Sequence, residues 1–404
     1  MFVLVDFFSS RGRKRLLAFL LGVFCSQACP STFGQLSTAD HLNDPGFWPT
    51  QKAVSRGDYA GSSACASCHA GKAATQKNTP MARNAMHADD AEILRAHPDM
   101  KFASGRYRYE IKTGSGHSVY TVSDGTRTLE ATLLWAFGVG HSGQSYLFKK
   151  SDRKKSDGKK SDDKNFYEAR VTYFRTLGTI GFTPARALAS PKDLEEAMAR
   201  PVSAAEIGRC FGCHTTASTI GEQFEEKDLM PGVTCEACHG PARKHVALAE
   251  SLSAAGISEE IPGEVFNPGK LTPTDSVDFC GACHSTWWDV KLTGVKGVST
   301  ARSQPFRLES SKCWGKGDAR LTCVACHDPH KPLQTEAAAY DGVCLSCHVG
   351  TGEKKSASHP GAACPTSAKN CASCHMEKVF VPEMHSKFTD HRIRIVHGNE
   401  AFPE

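Results

Sequence analysis

The chain has 404 residues and a formal net charge of +5, with 18 cysteines and 18 histidines. Most of the cationic surplus lies in the first 34 residues, which carry four basic groups and one acid, leaving about +2 on the rest. Length suggests two or three domains, and no apolar run after the first 34 residues approaches the ~18 of a membrane helix.

Residues 1–34 read as a signal peptide. Arg11, Arg13, Lys14 and Arg15 precede a short apolar run, Leu16 to Phe24, and Thr32-Phe-Gly34 offers a small-x-small cleavage site. Ser26-Gln-Ala-Cys29 is a weak lipoprotein box. Membrane association is therefore expected only through a lipid anchor or a retained leader. Residues 35–100 form an N-terminal segment with one C-x-x-C-H motif, Cys65-Ala-Ser-Cys68-His69.

Residues 101–183 have a different texture. Tyr107, Tyr109 and Ile111 alternate with Arg106, Arg108 and Glu110, and Tyr167, Ala169, Val171 and Tyr173 alternate with Glu168, Arg170 and Thr172. Leu129, Ala131 and Leu133 repeat the pattern. A period of two predicts antiparallel strands with one buried face. Gly114-Ser-Gly116 and Ser123-Asp-Gly125 are turn signals. The region reads as an inserted antiparallel β module, with a charged K-K-S-D repeat at 149–165 forming a solvated hairpin tip.

Residues 184–404 hold six more motifs among short helices and loops. Ser190-Pro191 with Asp193 predicts a helix ending near Arg200-Pro201, and Ser203-Ala-Ala-Glu206 is a capping box that opens another. The motifs are Cys210-Phe-Gly-Cys213-His214, Cys235-Glu-Ala-Cys238-His239 and Cys280-Gly-Ala-Cys283-His284, then Cys323-Val-Ala-Cys326-His327, Cys344-Leu-Ser-Cys347-His348 and Cys371-Ala-Ser-Cys374-His375. Numbered in chain order, they are motifs 1 to 7, with His69 closing motif 1.

C-x-x-C-H is the attachment signature of haem c. Two thiols add to the porphyrin vinyl groups, and the adjoining His becomes the proximal iron ligand. Zinc knuckles pair into four-ligand sites without a His after each. A disulfide framework has no reason to repeat His at one offset. The cofactor expected is thus haem c, seven copies, on Cys65, Cys68, Cys210, Cys213, Cys235, Cys238, Cys280, Cys283, Cys323, Cys326, Cys344, Cys347, Cys371 and Cys374. Two propionates per haem reverse the sign of the net charge. Nucleic acid is excluded as a partner on that ground, and redox proteins with basic patches are expected instead. Haem attachment places the chain outside the cytoplasm, in the periplasm or on the outer cell surface.

Removing the seven proximal histidines leaves eleven, an excess that bis-histidine ligation explains. His245, His330, His359, His385 and His391 follow motifs 3, 5, 6 and 7 and are read as distal ligands, each serving a neighbouring haem. His87, His97 and His141 are the candidates for the first haem and its neighbour. Met81, Met86 and Met384 are alternative sixth ligands, and His41, His117 and His397 are read as surface residues. Of the cysteines outside the motifs, Cys25 and Cys29 lie in the leader. Cys313 and Cys364 are read as a disulfide, with separate buried thiols as the alternative.

Gly232-Val-Thr-Cys-Glu-Ala-Cys-His-Gly-Pro241 with its following His resembles multihaem cytochromes related to hydroxylamine oxidoreductase and octahaem reductases. Leu321 to His330, Tyr340 to His348 and Tyr59 to His69 are similar to the tetrahaem cytochromes that accept electrons from hydroxylamine oxidoreductase. Cys374-His-Met376 with Thr389-Asp-His391 is similar to that group too. The resemblance spans 59–98 and 205–395 and omits the β module. It implies a mostly α and irregular multihaem cytochrome c fold, with short helices around stacked haems and His245, His330, His359 and His391 as distal ligands. It does not imply nitrite reduction of the pentahaem type, which replaces one proximal His by Lys, since all seven motifs end in His. No Tyr matches the one that hydroxylamine oxidoreductase cross-links to its catalytic haem.

Three functions fit this pattern. The first is a conduit passing single electrons in a periplasmic or cell-surface redox chain. The second is an oxidoreductase acting on a small nitrogen or sulfur compound at one open-coordinate haem. The third is a haem filament subunit whose end haems contact the next copy.

Overall fold

Alternation of apolar and polar residues builds two antiparallel sheets in the computed structural model, which describes residues 55–150, 165–186, 189–220, 223–257, 265–314, 321–348 and 367–404. The strands are β1 (Ala85–His87), β2 (Asp99–Ser104), β3 (Tyr107–Gly114), β4 (His117–Ser123), β5 (Thr128–Thr132), β6 (Trp135–Phe137), β7 (Gln144–Lys149), β8 (Phe166–Phe174), β9 (Thr179–Phe182) and β10 (Ala199–Pro201). One sheet runs β2-β3-β4-β5. The other runs β1-β6-β7-β8-β10, with β9 also paired to β8. The strands reach beyond 101–183 at both ends, because β1 and β10 close the edges of the second sheet.

The alternation sets the packing. Tyr107, Tyr109 and Ile111 of β3 and Tyr120 and Val122 of β4 share one core with Tyr146, Phe148, Val171 and Ile180 of the other sheet. The β3–β4 turn uses Ser115 and Gly116, both at positive φ, as a tight hairpin connection requires. At the next turn Asp124 Oδ1 accepts from the backbone N–H groups of Thr126 and Arg127. In β8 the polar set is also buried, including Arg170 and Thr172, because this strand lies inside the sheet and is covered on both faces. The K-K-S-D repeat falls almost wholly on 151–164, outside the described residues. Its flanks, Lys149 and Phe166, pair across β7 and β8.

The second face of this sheet has its own cluster. Trp135, Leu147 and Phe166 pack against Val202 and against Ile207 and Phe211 of the helix Ala204–His214. Its capping box forms as expected: Ser203 Oγ accepts from Glu206 N–H, and the Glu206 carboxylate accepts from Ser203 N–H at 3.0 Å. The preceding helix begins later and ends earlier than the sequence suggested, at Leu194–Met198, capped by Asp193. It stops because Ala199–Pro201 pairs with β8.

Strands form a much larger part of the described chain than a mostly α fold would have. Besides the two sheets, short antiparallel ribbons pair Thr215–Thr216 with Met230–Pro231, Thr219–Ile220 with Gln223–Phe224, and Lys378–Val381 with Ser386–Thr389. Short helices do dominate where the motifs lie. Among the described residues no helix is long and apolar enough to cross a membrane. Cys364 and His359 lie outside the described residues, and with Cys364 the expected disulfide.

Candidate haem-binding sites

Each motif is carried on or beside a short helix. The helices are Ser62–Cys68, Ala204–His214, Cys235–His239, Pro273–His284, Cys323–Cys326, Asp341–Leu345 and Cys371–His375. Two residues between the cysteines put both sulfurs on one side of a helical turn, three positions apart. The His follows at the helix end.

Several imidazoles are already oriented for a metal. His214 Nδ1 lies 3.2 Å from Asn84 O, His239 Nδ1 2.9 Å from Phe266 O, and His375 Nδ1 2.8 Å from Arg394 O. His391 Nδ1 lies 3.0 Å from Thr389 O. A carbonyl only accepts, so the proton sits on Nδ1 and Nε2 keeps its lone pair for a ligand bond. Burial lowers the pKa of His214 and His327, and pushes that of His391 down to about 4. Each is held as neutral imidazole, the ligating form.

Two of the expected distal ligands lie close to a motif histidine, pairings the sequence did not specify. The His239 and His330 rings have centroids 6.0 Å apart and planes within 17°. His327 and His391 have centroids 6.1 Å apart. Metal–imidazole bonds of roughly 2 Å on each side, with each ring centre about 1 Å behind its nitrogen, separate two axial rings by about 6 Å. Both pairs fit an iron between them. His330 is fixed by Asp328, whose carboxylate accepts from His330 N–H at 3.0 Å and lies 3.2 Å from Nδ1. The ring after motif 5 thus faces the proximal ring of motif 3, and the ring after motif 7 faces that of motif 5.

Other candidates lie elsewhere. His245 is half-buried, with a buried Nδ1 that has no hydrogen-bond partner. His385 stands edge-on to Phe174, centroids 4.7 Å apart, and its carbonyl accepts from Thr176. His87 packs against Trp135 with centroids 4.1 Å apart and planes tilted by 35°, and His97 Nε2 lies 3.0 Å from the Tyr173 hydroxyl. His141 is exposed, as are His69, His117 and His397.

The motifs lie beside one another. The thiols of Cys65 and Cys235 are hydrogen-bonded, joining motifs 1 and 3. Cys213 Sγ lies 3.5 Å from Ala282 O and Cys283 Sγ 3.7 Å from Cys213 O, joining 2 and 4. Cys280 meets Cys323, and Cys344 meets Cys371, joining 4 with 5 and 6 with 7. Cys238 is near enough to Cys283, and Cys326 to Cys344, to interact electrostatically.

Two fixing groups carry weaker sequence signals. Glu236, between the cysteines of motif 3, is 1% exposed. Its carboxylate accepts from Ala60 and Gly61 N–H at 2.8 Å and from Ala242 N–H at 2.9 Å, clasping the approach to motif 1 onto motif 3. An acid inside a motif was its only signal. Gly232, at φ +75, brings the loop before motif 3 so close to Ala82 that a Cβ would lie 1.9 Å from its carbonyl oxygen.

Helix-borne thiol pairs, each followed by an imidazole, and facing imidazoles at metal spacing define a c-type haem protein. A family model described as cytochrome c554 and c-prime matches residues 183–240, which hold motifs 2 and 3. The multihaem cytochrome MtrA of Shewanella baltica (strain OS185) is 22% identical over 187 residues, covering 42% of this chain and 52% of MtrA. The chain thus spans about half the length of that curated relative. The crystal structure of the outer cell wall cytochrome OcwA superposes with a TM-score of 0.45 at 13% identity, covering 84% of this chain and 80% of that one. The family match, the curated relative and the motif array identify the chain as a multihaem c-type cytochrome.

Proposed function

We propose that the chain is an exported heptahaem cytochrome that passes single electrons along its haems in a periplasmic or cell-surface redox chain. The observation that carries this reading is that every motif has a second motif beside it, through thiols that touch or through a shared imidazole pair. Each haem, when bound, supplies a one-electron site. The chain supplies the rest. Its cysteines fix neighbouring macrocycle edges at short range, and its distal histidines close iron to substrate. Its carbonyl acceptors hold the rings in one tautomer, so little rearranges when an electron arrives. Redox proteins are the partners on this reading.

The test is spectroscopic. The ferric protein should be low-spin at each bis-His iron, should not bind cyanide at those irons, and should still exchange electrons quickly with small mediators. A largely high-spin protein that binds cyanide at most irons would overturn the conduit.

One observation favours a second reading for motif 1 alone. Of its candidate distal ligands, His87 and His97 are engaged with Trp135 and Tyr173, and His141 is exposed. An open iron there would make the protein an oxidoreductase for a small nitrogen or sulfur compound. Titration with nitrite or hydroxylamine decides it. A shifted Soret component with turnover supports the enzyme, and no shift leaves the conduit.

A further inference from the structure

We propose that the buried Arg307–Asp390 ion pair is the device that positions His391 as the sixth ligand of the iron carried by motif 5; this rests on the His327–His391 pairing above. The two side chains are 0% and 1% exposed. Arg307 Nε donates to Asp390 Oδ1 and Nη2 to Oδ2, both at 2.8 Å, a bidentate fork that fixes the carboxylate in plane as well as in distance. The remaining guanidinium N–H groups are also directed: Nη1 donates to Pro403 O at 2.7 Å, and the group lies 4.4 Å over the Phe402 ring.

This fork acts on the residues flanking the ligand. Asp390 immediately precedes His391, and its Oδ1 also accepts from Arg392 N–H at 3.0 Å, so one carboxylate spans the ligand position. Asp390 N–H donates to Glu377 O at 2.8 Å, and Ser311 Oγ donates to His391 O at 3.3 Å while accepting from Ile393 N–H. The His391 ring is left with its Nδ1 on Thr389 O and its centroid 6.1 Å from that of His327. Arg307 sits on the helix Gln304–Glu309, whose Gln304 side chain lies beside His284 of motif 4. One helix therefore lies against ligand candidates of two adjacent motifs.

Packing alone does not call for this pair. Its neighbours include the apolar cluster of Ala301, Val381, Met384 and Phe402, where matched apolar side chains would be at least as stable, because burying two charges offsets most of their attraction. What the pair adds is direction, and the group it directs is a ligand.

Four variants of the full haem-loaded protein test this by electron paramagnetic resonance and by carbon monoxide binding to the reduced form. His391→Ala should release one iron's worth of high-spin signal; if it stays low-spin, the ligand pairing itself is wrong. With that control positive, Asp390→Asn and Arg307→Met/Asp390→Leu should give the same new high-spin signal at unchanged covalent haem mass. The apolar double variant keeps the volume and removes the unpaired charge that could unfold the single variant. Arg307→Lys, with its charge but no fork, should give a fraction of that signal. If the double variant folds with all its haems, remains wholly low-spin and keeps every midpoint potential, the pair is structural and the inference fails.

Discussion

At His330 the reading is most exposed to a single substitution. The ring faces His239 at 6.0 Å and is held by Asp328. Replacing it by Ala should open the iron of motif 3, seen as a high-spin ferric signal and carbon monoxide binding to the reduced form. An unchanged spectrum would remove His330 from the ligand set. Glu236 makes a different prediction. Its carboxylate satisfies three backbone N–H groups in a buried place. Glu236→Ala leaves them without an acceptor, at a cost of roughly 2–4 kcal/mol, while Glu236→Gln keeps one acceptor and should lose less. Chemical denaturation of the ferric protein measures both, and equal losses would show that the clasp is packing rather than hydrogen bonding. The histidines show how far residue chemistry is legible in sequence. C-x-x-C-H names the proximal ligand, because attachment is local. Which motif a distal ring serves depends on the return path of the chain, and that is set by tertiary packing.

The element that joins the β module to the haem array is the helix Ala204–His214. Its first turn is held by the Ser203–Glu206 box, and Phe211 is wedged edge-on to Trp135 at 5.0 Å and to Phe137 at 5.2 Å. Ser203→Ala should cost about 1 kcal/mol, and Phe211→Ala about 3–5 kcal/mol. Both should loosen motif 2 before the others, read as a lower melting temperature of the ferric Soret band. If Phe211→Ala melts like the parent, the β module and the array are energetically independent. The cap and the central strands were readable, because a capping box and the Tyr107-Tyr109-Ile111 alternation are local patterns. The two-residue ribbons were not readable, since so few residues show no period. Nor were β1 and β10, whose strand character comes from the partners they pair with rather than from their own residues.

For the molecule as a whole, intact mass should exceed the mature chain by seven haem masses, and the haem should resist acid–acetone extraction. Four or fewer would end the heptahaem reading. The array is also not a single file. Motif 5 meets motif 4 through Cys280 and Cys323 and motif 6 through Cys326 and Cys344. On the proposed ligation it would take its distal ring from beyond motif 7 and lend its own following His330 to motif 3, as the two imidazole pairs are placed. In the language of networks it is an articulation point: of the links described, every route from motifs 1 to 4 to motifs 6 and 7 crosses it. A defect there would divide the wiring into two islands, each intact and neither able to reach the other, whereas a defect at motif 2 would only prune a branch.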